Sequence, residues 1–74
     1  MKLGSLASNP NKLRVMNLLL KKSLELNAIA KAIRLPKNAL KSIIDELITE
    51  GFIEEEGGYY KITDLGKRTL KSLR

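Results

Sequence analysis

The stretch FIEEEGGYYKIT, Phe52–Thr63, decides how the chain folds. On either side of Gly57-Gly58 the residues alternate with a period of two, and two adjacent glycines can take the positive φ angles of a type I′ turn. The segment therefore reads as a β-hairpin in which Glu56 pairs with Tyr59, Glu55 with Tyr60, Glu54 with Lys61 and Ile53 with Ile62. That register turns Ile53 and Ile62 to the core and Glu54, Glu56, Tyr59 and Lys61 outward. It also poses a question, because three consecutive glutamates sit at this tip in a chain whose net charge is +6.

Upstream, the period changes to that of helices. Pro36 restarts a helix after "RLP", and Leu40, Ile43, Ile44, Leu47 and Ile48 fall on one face of it. Gly51 ends it as a left-handed cap. Ile48 lies at the edge of the face, on the Lys41 side, and reads either as core or as an apolar contact to a thymine methyl. Before it, "NAIAKAI" gives a short helix over Asn27–Ile33, with Ile29 and Ile33 four apart and three alanines that permit close approach. The residue before a proline is pushed out of the α region, which stops this helix. Ser23–Glu25 is long enough only for a bridge-length strand.

Asn9-Pro10 is a start signal, since Asn can cap a helix and Pro fits its first position. Helix 1 then runs to Lys21 or Lys22. Its apolar residues Leu13, Val15, Met16, Leu18, Leu19 and Leu20 cover roughly 220°, against ~100° for a one-sided surface helix. Only Arg14, Asn17 and Lys21 share a polar strip. Two readings stay open: a central helix wrapped by the others, or one that also feeds a dimer interface. Residues 1–9 form a tail that Leu3 and Leu6 could dock, and residues 10–74 the folded domain. Downstream of the hairpin, Thr63 caps a last helix from Asp64 to about Leu73, with Leu65 and Leu73 as its packed stripe. Its charges suit the helix dipole, Asp64 at the start and Lys71 and Arg74 at the end.

At 74 residues the chain is expected to be one small domain. Its 43% apolar content is mostly aliphatic. With no cysteine and no histidine, disulfides, Cys/His zinc sites, thiol nucleophiles and histidine triads are excluded. The longest apolar run is Leu18–Leu20, and the first ten residues are too short and polar for a signal or membrane span. A soluble, cytoplasmic protein with no membrane contact is expected. The pI near 9.8 implies attraction to polyanions.

The order helix, short strand, helix, turn, helix, hairpin, helix is the layout of a winged helix-turn-helix, an α+β and mainly α fold. Over about residues 11–73 the chain resembles small prokaryotic winged-helix regulators of the ArsR and MarR families and their archaeal relatives. "AIAKAI" stands at their second helix, "LPKNALKSIIDELITEGFI" follows their third helix into the wing, and "YYKITDLGKRTL" matches the end of the wing. The resemblance implies a three-helix core, a wing of two to three strands and a short C-terminal helix. It also implies that helix 3 presents its N-terminal half to the DNA major groove.

On that reading the DNA-binding residues are Lys31, Arg34, Lys37, Asn38, Lys41 and Ser42. Asn can read adenine bidentately, Lys can reach guanine and Ser can contact either. Between Asn27 and Ile44 there are four bases and no acid, a local cluster suited to phosphate neutralisation; the bland alternative is a solvated face. Lys12, Arg14, Lys61, Lys67 and Arg68 are further candidate phosphate contacts. The wing departs from the family pattern, since residues 52–62 carry three acids against one base and should be repelled by phosphate. The wing then stands off the duplex, or meets the basic surface of a protein. Metal coordination by the glutamates is the weakest reading, because consecutive strand residues alternate faces.

The leading expectation is a transcriptional regulator, nucleoid-associated, that occupies double-stranded DNA as a homodimer formed through helix 1 and the terminal segments. A protein-interaction winged helix with the acidic wing as partner surface is the alternative. No cofactor, metal, small-molecule ligand or catalytic residue is expected, because no nucleophile and base share a concave site.

Overall fold

The computed structural model describes residues 9–72. The elements are α1 (Pro10–Lys21), β1 (Leu24–Glu25), α2 (Leu26–Ile33), α3 (Lys37–Thr49), β2 (Ile53–Glu56), β3 (Tyr59–Ile62) and α4 (Asp64–Ser72). This is the winged-helix order that the sequence implies. Except for Asn9, the expected tail lies outside the described residues, and so does Leu73.

Local chemistry accounts for the boundaries. The Asn9 side chain accepts the Asn11 amide at 3.1 Å and Pro10 opens α1. At the far end of α3 the Gly51 amide donates to the Ile48 carbonyl at 3.0 Å and the Phe52 amide to the Leu47 carbonyl at 2.9 Å. This pair of bonds is a Schellman closure, with Gly51 at φ +83°. It turns the chain straight into β2.

The hairpin has the expected register throughout, Ile53 opposite Ile62 and Glu56 opposite Tyr59, with Gly57 and Gly58 both at positive φ. β1 adds a third antiparallel strand beside β3, pairing Leu24 with Tyr60 and Glu25 with Tyr59, so the sheet order is β1-β3-β2. Alternation then places Leu24 and Tyr60 toward the core and Glu25 on the outward face with Glu54, Glu56, Tyr59 and Lys61.

Thr63 joins the wing to α4. Its hydroxyl donates toward the Gly51 carbonyl at 2.6 Å, or the Phe52 carbonyl at 3.0 Å, and accepts the Gly66 amide at 3.1 Å. Gly66 lies where α4 meets the start of β2. A Cβ there would fall on the Phe52 carbonyl oxygen and within 2.7 Å of Ile62 Cγ1.

The core draws on every layer: Val15, Met16 and Leu19 from α1, Ile29 from α2, Leu40, Ile44 and Leu47 from α3, Phe52, Ile53 and Ile62 from the wing, and Leu70 from α4. α1 has α2, α3, α4 and β3 against it, which is why its apolar arc is so wide. Two expectations are corrected. Ile48 is 38% exposed rather than core, because Leu40, Ile44 and Leu47 already fill the inward face of α3. In α4 the packed residues are Gly66, Thr69 and Leu70, while Leu65 is 39% exposed. The close approach at Gly66 fixes which side of that helix faces in.

Candidate functional site

The exposed arc of α3 carries Lys37, Asn38, Lys41 and Ser42, all open to solvent. Their placement follows from the buried face: once Leu40, Ile44 and Leu47 point inward, residues 38, 41, 42 and 45 must point out. The Ser42 hydroxyl donates back to the Asn38 carbonyl at 3.4 Å, which leaves its lone pairs outward as acceptors. Lys31 on α2 joins the same surface, since Asn27, Lys31, Leu35, Pro36 and Lys37 line one shallow groove in the crook between α2 and α3.

Arg34 is exposed but lies elsewhere. It lines a separate groove between α1 and α2, with Arg14, Asn17 and Lys21. The four-cation run of the sequence is thus divided: Lys31 and Lys37 share one groove while Arg34 faces α1. Arg34 also has φ 58° and ψ 45°, a left-handed conformation, and among the described residues no other non-glycine has a positive φ. The conformation lets the Arg34 amide, as the cap of α2, and the Leu35 amide both reach the Ala30 carbonyl.

Lys12, expected as a phosphate contact, is instead an internal tie. Its side chain is 2% exposed, with Nζ 2.8 Å from Glu46 and 3.3 Å from Glu50. Position 12 points into the seam between α1 and the end of α3, and the two carboxylates there make burial of the ammonium tolerable. Burial pushes its pKa down, but the hydrogen bonds that Lys12 donates to Glu46 and Glu50, with the attraction of their charges, outweigh it and leave the value above the ordinary 10.5. Arg14, Lys67 and Arg68 are exposed.

The wing offers no uncommitted cation on its outward face. Lys61 stands opposite Glu54 in the ladder, yet its Nζ sits 2.8 Å from Glu56, diagonally across the turn. That hydrogen bond, with the attraction of Glu56 and then Glu54, raises the Lys61 pKa and lowers that of Glu56. Glu55 is exposed too, because the hairpin extends past the core that covers Ile53 and Ile62. Sequence reasoning missed Glu25, whose pairing with Tyr59 adds a third carboxylate to the outward face. A two-residue strand gives too little alternation to assign a face before its partner is known. The outward face therefore sets Glu25, Glu54 and Glu56 against Lys61 alone. Among the described residues no three acidic side chains are gathered as a metal site, and no helix is long and apolar enough to cross a membrane.

A family model described as a winged helix-turn-helix matches residues 12–74. An uncharacterized HTH-type transcriptional regulator of Methanocaldococcus jannaschii is 35% identical over 68 residues, covering 80% of this chain and 64% of the relative. The chain thus spans just under two thirds of that curated relative's length. No solved structure matches.

Proposed function

Because the chain belongs to the winged helix-turn-helix family, we propose that it is a DNA-binding transcriptional regulator that acts by occupying its operator. In this reading α3 lies in the major groove, with Lys37, Asn38, Lys41 and Ser42 toward base edges and Lys31 toward phosphate. The observation that carries it is the groove in which Lys31 of α2 and Lys37 of α3 come together with no acidic side chain in its lining, beside the exposed Asn38, Lys41 and Ser42 of α3, with Asp45 marking the far end of that arc. Clustered cations beside hydrogen-bonding side chains are what backbone neutralisation and base readout each require. The similarity to an HTH-type transcriptional regulator supports the same assignment. Its role is binding rather than catalysis, in the cytoplasm and on the nucleoid.

The wing stands away from the duplex, since Glu25, Glu54 and Glu56 would meet phosphate with like charge. A homodimer through α1 and the terminal segments would extend the read site, because one helix reads too few base pairs for selectivity.

The test is a titration into a labelled random duplex of about 30 bp at several salt concentrations, in which the slope of log K against log salt counts neutralised phosphates. Binding with a slope of several phosphates, weakened by Lys41→Ala, is expected. The acidic outward face of the wing favours a second reading, a module that binds a basic protein surface. Absence of binding at low salt would select it.

A further inference from the structure

We propose that the groove between α1 and α2 is a second phosphate-gripping track, in which Arg14, Lys21 and Arg34 hold a duplex backbone at a surface separate from that of α3. The inference rests on the DNA-binding reading and adds a surface to it. Arg14, Asn17 and Lys21 recur at spacings of three and four on α1, so they form one stripe. From Arg14 to Lys21 the stripe is roughly 10 Å long at 1.5 Å per residue. Measured along the duplex axis, that length corresponds to about three phosphates of one strand. Arg34 approaches from α2, across a groove of about 480 Å³ that holds no acidic side chain. Among the described residues no ion pair engages Arg14, Lys21 or Arg34. Asn17 supplies a neutral donor of the kind that also bonds phosphate oxygens.

The backbone at Arg34 gives the second, independent argument. A left-handed cap is the position glycine or asparagine fills at least cost, and a long side chain there is strained. Strain at one residue is a pointer to function when that residue's side chain has a use. Here the residue is an exposed arginine that lines one groove with two other cations and no carboxylate. Such a cluster is unfavourable by itself and becomes favourable when a polyanion fills it.

Arg34→Gly separates folding from binding, because it relieves the backbone and removes the charge. The experiment compares wild type, Arg34→Gly, Arg14→Ala/Lys21→Ala and the exposed α4 control Lys71→Ala, by thermal melting and by salt titration of a random 30-bp duplex. The expected result is that Arg34→Gly melts higher than wild type yet binds more weakly, with a salt slope smaller by about 0.9. The double variant should lose about 1.8 of slope, and Lys71→Ala should leave the slope unchanged. Equal slopes for wild type and both groove variants, with binding intact, would overturn the track and leave the DNA-binding reading standing. Equal losses in Lys71→Ala would also overturn it, because the effect would then be net charge and not contact. A wild type that binds no duplex at low salt would remove both.

Discussion

Replacing Lys12 by methionine tests the tie between α1 and α3. Methionine keeps an unbranched stem of similar length, so packing in the seam is largely retained and the ammonium alone is removed. Two carboxylates then lose their partner, and they are not equivalent. Glu46 is 61% exposed, so water re-solvates it and its share is that of a surface pair, about 0.5 kcal/mol. Glu50 is only 13% exposed and receives Nζ at 3.3 and 3.5 Å on its two oxygens. Left unpaired in the seam, it should cost about 1.5 kcal/mol, the lower range for a hydrogen bond to a charged group. The sum of about 2 kcal/mol, spread over a 74-residue chain with an unfolding entropy of about 2.1 cal/mol/K per residue, lowers Tm by about 13 °C.

Thermal melting followed by circular dichroism at pH 7 measures it, and Lys12→Met/Glu50→Gln should recover part of the loss by removing the stranded charge. The pH dependence has a defined sign. A lysine whose pKa is raised in the folded state stabilises fully below its unfolded value of 10.5, and that contribution fades as pH climbs through the folded value. The gap between wild type and Lys12→Met should therefore be constant from pH 7 to about 10 and narrow above it. If Lys12→Met melted at or above the wild-type temperature, the desolvation cost of the buried ammonium would equal its pairing, and Lys12 would not be a stabilising tie.

Gly66→Ala should destabilise by about 1–3 kcal/mol in chemical denaturation, although alanine is the better helix former, because its Cβ overlaps the Phe52 carbonyl and the Ile62 side chain. Thr63→Ala removes the cap of α4 and the link to the end of α3 together, so a loss of about 1–2 kcal/mol is expected, with α4 amide exchange accelerated first. Glu56→Lys should strengthen binding to a random duplex at low salt, because it removes one wing carboxylate and frees Lys61 from its ion pair; unchanged affinity would mean that the wing's charge is not felt by DNA. Lys41→Ala should weaken binding more than Glu56→Ala does, as read by fluorescence anisotropy.

Local signals in the sequence determined the elements and their ends. Asn9-Pro10, the break at Leu35-Pro36, Gly51, the Gly57-Gly58 turn and Thr63 each act within a few residues, through capping bonds or allowed φ angles, and each boundary lies within a residue or two of its expected place. The hairpin register was legible for the same reason, since a two-residue turn fixes every pair that follows. The exposed arc of α3 was legible because a helix with a filled inward face has a determined outward one.

What needed the tertiary structure is everything that depends on which faces meet. Lys12 looked like any surface base until α1 was laid against the end of α3, where Glu46 and Glu50 come from 34 and 38 residues away. Arg34 looked contiguous with Lys31 and Lys37, and only the side of α2 on which it emerges separates them. Leu65 and Leu70 are both leucines on a basic helix, and the contact at Gly66 chose between them. Glu25 joined the acidic face only when β1 found β3. In each case the deciding interaction is between residues distant in the chain, and a pattern of period two or 3.6 describes one element's own faces, not the neighbour that will cover them.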